Sequence, residues 1–189
     1  MNARLLIQMS GMPGAGKSTM AREIRSHIDA VILDMDVCKS AALDSGVDFE
    51  TSGRVAYMTL WALARSILNQ GSHVILDSPC RFQWILDNGL QAAADTGAHY
   101  RYIECITEDM ATIRRRLQNR PRYRSQVRDI DDLPVSTEEG AEPMSAEERF
   151  LYWTHNMVRP SQDYLRLDTS RPVANCLADV LAFLQIASA

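Results

Sequence analysis

Five short apolar runs punctuate the chain: Leu5 to Met9, Val31 to Leu33, His73 to Leu76, Tyr100 to Ile106 and Tyr164 to Leu167. Continuous rather than alternating apolar character, as in Leu5 to Ile7 and Val74 to Leu76, suggests strands covered on both faces. The stretches between them repeat apolar residues at helical spacing. From Lys17 to about Ile28, Met20, Ala21, Ile24 and Ile28 fall on one face. Near the end of the chain, Val173, Leu177, Val180, Leu181 and Leu184 do the same. Both stripes read as core. A longer helical stretch, Thr51 to Gln70, carries Tyr57, Met58 and Trp61 and is closed by Gly71. Helices between strands indicate parallel crossovers, so the pattern predicts an α/β doubly wound sheet with ligands at the carboxyl ends of its strands.

The connection between the first run and the first helix changes the picture most. Residues Gly11-Met12-Pro13-Gly14-Ala15-Gly16-Lys17-Ser18 form a complete G-x-x-x-x-G-K-[ST] phosphate loop, followed by Thr19. A triphosphate needs many donors in a small space, and the backbone N–H groups of a glycine-rich turn supply them without side chains in the way. The helix opening near Lys17 points its positive end at the anion, the Lys17 ammonium reaches the outer phosphates, and the Ser18 hydroxyl can ligate Mg2+.

Carboxylates end the next two strands. Leu33-Asp34-Met35-Asp36 puts two of them two positions apart, on the same side if strand geometry persists. Asp36 reads as the base for an acceptor hydroxyl and Asp34 as a metal-side helper; each reads alternatively as a cap on a helix beginning around Val37. Val74-Ile75-Leu76-Asp77-Ser78 is a Walker B type of element, so Asp77 is expected to face the metal or the acceptor. Arg81 lies just beyond, placed either to touch an anionic or polar substrate or to stand idle at the surface. Ser40 to Trp61 and Ser78 to Trp84 are expected to form the acceptor pocket. Tyr57, Trp61 and Trp84 are candidate walls, although Met58 and Trp61 read better as packed against the sheet.

Seven arginines lie between Arg114 and Arg128, and eight carboxylates between Asp129 and Glu148, interrupted by Pro121, Pro134, Gly140 and Pro143. This composition predicts a mobile flap. Ser145-Ala146-Glu147-Glu148 has capping-box spacing and starts a helix carrying Phe150, Leu151, Trp153 and Met157. The stretch 114–150 therefore reads as a lid. Arg116 and Arg120, four apart at a helix end, are expected to share a face and reach phosphate oxygens, with Arg124 joining from the loop. Arg114, Arg115, Arg122 and Arg128 read as a solvated face paired with the acidic loop.

With 189 residues, 46% hydrophobic content and 23% charged residues, one globular domain is the default. The formal net charge of −4 argues against a broad nucleic-acid groove or attraction to an anionic membrane. Cys38, Cys80, Cys105 and Cys176 are far apart and read as reduced thiols. The first strand begins too early to leave room for a leader, and no apolar run approaches a membrane span, so a cytoplasmic location is expected. His27, His73, His99 and His155 are isolated from one another, and no G-x-S-x-G motif occurs.

The loop GMPGAGKST, LDMD, VILDS, the R-x-x-x-R lid entry and the closing YLRLDTSRP together resemble P-loop kinases of the zeta-toxin, polynucleotide-kinase and chloramphenicol-phosphotransferase type, nearly end to end. The resemblance implies a P-loop NTPase fold with a five-stranded parallel sheet in the order 2-3-1-4-5. It implies an ATP-Mg2+ site on Gly14, Gly16, Lys17, Ser18 and Thr19, and Asp36 as the aspartate that activates an acceptor hydroxyl. It also assigns Arg116 and Arg120 to the lid and brings Asp168 to Pro172, with Arg171, near the adenine. Shikimate and gluconate kinases share the loop, but the glycine triplet of shikimate kinases is missing. Neither an N-K-x-D nor an L-S-G-G-Q motif is present, and the chain is short for an AAA+ module with its helical lid domain.

The function these residues predict is transfer of the γ-phosphoryl of ATP to a hydroxyl on a small molecule. An antibiotic or other natural product is the preferred acceptor. A sugar, a nucleoside or a polynucleotide 5'-end is the alternative, and a non-catalytic ATP-binding regulator is the rival of another class.

Overall fold

The computed structural model describes residues 4–133 and 144–186. Five strands, β1 (Leu5–Ser10), β2 (Ala30–Asp34), β3 (His73–Asp77), β4 (His99–Ile106) and β5 (Tyr164–Asp168), form one parallel sheet in the order β2-β3-β1-β4-β5. Every residue of β1 is buried, as its continuous apolar run requires of a central strand.

Side-chain alternation along the strands sends residues to two cores. On one face, Ile7, Met9, Ile75, Ile103 and Leu167 pack under helices α1 (Lys17–Arg25) and α7 (Val173–Leu184). On the other, Leu6, Val74, Leu76 and Tyr102 pack under α3 (Phe49–Asn69) and α4 (Gln83–Thr96). A third cluster lies away from the sheet. Met12 of the phosphate loop joins Ile113 and Leu117 of α5 (Met110–Asn119), Ile130 and Leu133 of a short 3-10 turn, and Phe150 of α6 (Ala146–His155), with Met157 just beyond. The described part of the lid thus has its own core. Residues 134–143, part of the stretch expected to be a flap, lie outside the described residues.

Local chemistry moves several boundaries. The first helix stops at Arg25 because the Ser26 hydroxyl donates to Glu23 O at 2.6 Å and the His27 ring lies 3.1 Å from the same oxygen, competing with the helix ladder. The helix after β2, α2 (Met35–Asp44), starts two residues before Val37 because the Asp34 carboxylate accepts from the Asp36 amide at 2.8 Å and caps it. Strand geometry therefore does not persist from Asp34 to Asp36. Asp48 caps α3 in the same manner, and Ser145 with Glu148 forms the capping box of α6.

Along α3 the buried stripe is Ala56, Tyr57, Leu60, Trp61, Ala64 and Leu68. Met58 falls off that stripe and is 65% exposed, which corrects its assignment to the core. Trp61 is sealed within it, at 2% exposure, so it does not wall an open acceptor pocket. No described helix is long and apolar enough to cross a membrane.

Candidate active site

The loop between β1 and α1 owes its shape to glycine at two points. Gly11 has φ +124°, and a Cβ there would sit 2.1 Å from the carbonyl oxygen of Cys105 on β4. Gly16, at φ +93°, is the residue before α1 and offers no side-chain cap. The first amides of α1 have no intrahelical acceptor, so they stay available to an anion. Pro13 is half-buried and Ala15 is buried, and both contribute backbone rather than chemistry. The Lys17 ammonium donates to the carbonyls of Gly11 and Met12 at 2.9 and 3.1 Å, lying back across the loop.

A cavity of about 770 Å³ opens over this loop, lined among others by Lys17, Ser18, Thr19, Asp34, Arg116 and Arg120. Its size suits a nucleotide. Arg171 also lines it, with its guanidinium held by Asp179 at 2.7 Å.

The carboxylates gather at the ends of β2 and β3. Asp77 is 6% exposed; burial raises its carboxyl above the ordinary range, while the Lys17 charge and a hydrogen bond with Ser18 pull it down. Burial, and then the neighbouring Asp77 charge, push Asp34 up to about 6. Ser18 and these two carboxylates form a set of hard oxygens, the donor type that suits Mg2+. The described residues contain no cluster of three or more His, Cys, Asp or Glu side chains arranged to hold a metal by themselves.

Asp36 stands in the first turn of α2 and meets the lid. It accepts from the Ser125 hydroxyl at 2.9 Å and from the Gln126 amide at 2.8 Å. Ser125 also bonds Ser40, and Arg124 donates to Leu43 O and Asp44, each at 3.0 Å. Arg124 therefore clamps the lid to α2 instead of joining the phosphate-side arginines.

Arg116 and Arg120 differ in role because α5 ends at Asn119 and Arg120 is already extended, so helical spacing no longer aligns them. Arg116 donates to Gly14 O at 3.2 Å and to Thr169 O at 2.7 Å, tying the phosphate loop to the segment after β5. Arg120 is partly buried, with its Nε unpartnered among the described residues. The charges of Asp36, Asp34 and Asp77 all act on it. Arg114 does pair with the acidic residues Asp129 and Asp131.

Beyond β3, Tyr57 donates its hydroxyl to Pro79 O at 2.8 Å, and its ring meets the edge of Trp84 with centroids 5.1 Å apart. Arg81 stacks 3.9 Å over the Trp153 ring of α6. Thr169, expected only as part of the segment near the adenine, donates its hydroxyl to Ala15 O at 2.8 Å; sequence reasoning missed the lid residues Ser125 and Gln126 that bond Asp36. It also missed Lys39, although the spacing of Asp36 and Lys39 was a usable signal.

A family model described as an AAA domain matches residues 6–134, more than half of the chain. The chain belongs to the AAA domain family. The matched stretch runs from β1 through β4 and into the arginine-rich lid. No curated protein matches the chain.

Among solved structures, this AAA domain chain is similar to a sugar kinase from Janibacter sp., at 17% identity, 98% coverage of this chain and 96% of the other, and a TM-score of 0.64. The APS kinase CysC of Mycobacterium tuberculosis in complex with AMPPNP and APS gives 19% identity, 97% and 98% coverage, and 0.64. A gluconokinase from Sinorhizobium meliloti gives 13% identity, 98% and 94% coverage, and 0.60. These likenesses establish the fold: the chain carries the α/β P-loop kinase fold over its whole described length.

Proposed function

We propose that this AAA domain protein transfers the γ-phosphoryl group of ATP to a hydroxyl of a small molecule of sugar or nucleotide type. The observation that carries this reading is Asp36. It is a carboxylate in the first turn of α2, the element that follows β2, and the lid's Ser125 and Gln126, the latter lining the cavity over the phosphate loop, already offer it the hydrogen bonds that an incoming alcohol would replace.

In this mechanism the loop amides and Lys17 hold the triphosphate, and Arg116 keeps the loop in place through Gly14 O. The acceptor oxygen attacks the γ-phosphorus, the bond to the bridging oxygen breaks, and its electron pair leaves with ADP. The hydroxyl proton passes to the Asp36 carboxylate. Arg120 balances charge as it spreads over the moving group. Ser18, Asp77 and Asp34 would hold Mg2+, which when bound neutralises phosphate charge.

The sugar and nucleotide class is favoured over an antibiotic because a sugar kinase, a gluconokinase and an APS kinase share this fold over nearly all of both chains. No comparable observation favours an antibiotic. The test is a mass-spectrometric screen of monosaccharides, sugar acids, nucleosides and antibiotics for ATP-dependent gain of one phosphate. The wild type should modify a member of the first three classes. Asp36→Asn should abolish transfer while leaving ATP affinity within a few-fold, and unchanged turnover in that variant would remove the base assignment.

A further inference from the structure

Two cations on the acceptor side of Asp36 are unused by the chain itself. Lys39 lies one helical turn after Asp36 on α2, so the two share a face, and its ammonium sits 3.5 Å over the Phe49 ring. Arg81 follows β3, stacked on Trp153, and its buried Nε has no hydrogen-bond partner among the described residues. Neither side chain takes part in an ion pair among the described residues. Both border the same stretch of α3: Lys39 Nζ lies 3.9 Å from where a Cβ on Gly53 would stand, one helical turn before Tyr57, and Tyr57 bonds Pro79 O, two residues before Arg81. The Lys39 ammonium is made more acidic chiefly by burial; the charge of Asp36 opposes that and the charge of Arg81 adds to it.

Such an arrangement is costly for a chain to keep without a purpose. Two like charges are brought together, partly desolvated and set against aromatic rings, with no carboxylate between them to balance both. An arginine fork whose plane is fixed by a ring and whose inner nitrogen is unpaired is poised to grip a planar or tetrahedral oxyanion. Aromatic surface stands beside it. Phe82 and Trp84 are 50% and 41% exposed, their rings are stacked, and Trp84 meets Tyr57 edge-on.

We infer that Lys39 and Arg81 form an anion subsite for the acceptor, so that the molecule phosphorylated beside Asp36 carries its own phosphate, sulfate or carboxylate group along with the reacting hydroxyl. The inference rests on the phosphotransfer reading above for the word acceptor; the subsite itself is a binding property that can be measured without turnover. The anion lands between the two cations, and the exposed Phe82 and Trp84 surface, backed by Tyr57, takes the apolar part of the molecule. Asp36, the one carboxylate whose charge acts on both Lys39 and Tyr57, repels the anionic end and leaves the hydroxyl end as the one it accepts.

The test uses the full chain with AMPPNP and Mg2+ saturating the phosphate loop, so that an added oxyanion cannot report on that loop. Inorganic phosphate is titrated in and followed by phosphorus NMR line broadening. The wild type should bind it, and Lys39→Gln and Arg81→Gln should each raise its dissociation constant about tenfold, the loss expected of one charge-assisted contact. D-Gluconate and D-glucose 6-phosphate serve as competitors that separate a carboxylate-bearing from a phosphate-bearing acceptor, and D-glucose should compete with neither. Thermal melts accompany each variant. Should Arg81→Gln melt early, the half-buried helix-surface change Lys39→Gln decides alone. Absence of phosphate binding in the wild type, or equal binding in a folded Lys39→Gln, overturns the subsite. Asp36→Asn separates the two readings, since it should retain or tighten phosphate binding. If it also retained turnover, the base assignment would fall while the subsite stood.

Discussion

Asp34 and Asp77 are paired in parallel register at the carboxyl ends of β2 and β3, so two carboxylates share one corner of the site. Burial is the larger cause of the raised Asp34 carboxyl, and Asp77 is the next. With a folded value of about 6 against 3.8 for the free side chain, the native state binds the proton more tightly than the unfolded chain does. Its contribution to stability is therefore full below pH 3.8 and lost as the pH rises through about 6. Asp34→Asn, which keeps a good N-cap for α2, should stabilise the metal-free protein at pH 7.5. The gain should be about 1–2 kcal/mol once solvent screening of this half-buried group is discounted. Denaturant melts in chelator across pH 4 to 8 check this: the gain should vanish at the acid end, and a pH-independent difference would contradict the argument.

Arg116 and Arg120 should separate kinetically. Arg116 reaches backbone carbonyls of the phosphate loop and of Thr169, so Arg116→Ala should raise KM for ATP about tenfold with a smaller change in kcat. Arg120 lines the cavity, where the charges of Asp36, Asp34 and Asp77 act on it, and Arg120→Ala should lower kcat by roughly a hundredfold. Steady-state kinetics on an acceptor found by the screen would show the split, and identical profiles for the two variants would refute it.

Gly11 leaves no room for a side chain. The contact of 2.1 Å with a β4 carbonyl and the positive φ act together, so Gly11→Ala should destabilise the fold by at least ~2 kcal/mol and weaken nucleotide binding. Gly46, also at positive φ, has nothing within 4 Å of such a Cβ and gives the control that isolates conformation from collision. Melting temperatures of the two alanine variants provide the comparison.

Glu104 on β4 is fully buried and receives two hydrogen bonds from Arg159, at 2.5 and 2.8 Å, with Arg166 at 3.5 Å. Arg159→Ala would strand that carboxylate, and a loss of about 3–5 kcal/mol is expected. Pairing it with Glu104→Gln should recover part of the loss, as a double-mutant cycle in urea would show.

Much of this was legible in the chain. The apolar runs located all five strands, most clearly the central β1, which is buried throughout, whereas the edge strand β5 is largely exposed; the phosphate loop located the cavity because its glycines and lysine are required by geometry. Asp34 was ambiguous for a physical reason: a side chain that caps a helix and one that faces a metal look alike in sequence, and here Asp34 caps α2 while also lining the cavity. The lid was harder. Its core draws on Met12, Ile113, Ile130, Phe150 and Met157, scattered over the chain with no common period, so the composition of 114–150 suggested a flap where the described residues show packing. The division between Arg116 and Arg120 turned on where α5 stops, the least readable property of any helix.

Met12 belongs to two things at once. Its neighbours in sequence are Gly11 and Pro13 of the anion cradle, yet its side chain is the floor on which the arginine-bearing helix and the 3-10 turn rest. The thioether and the Arg116 contact with Gly14 O therefore join the cradle to that helix by two routes, one apolar and one polar.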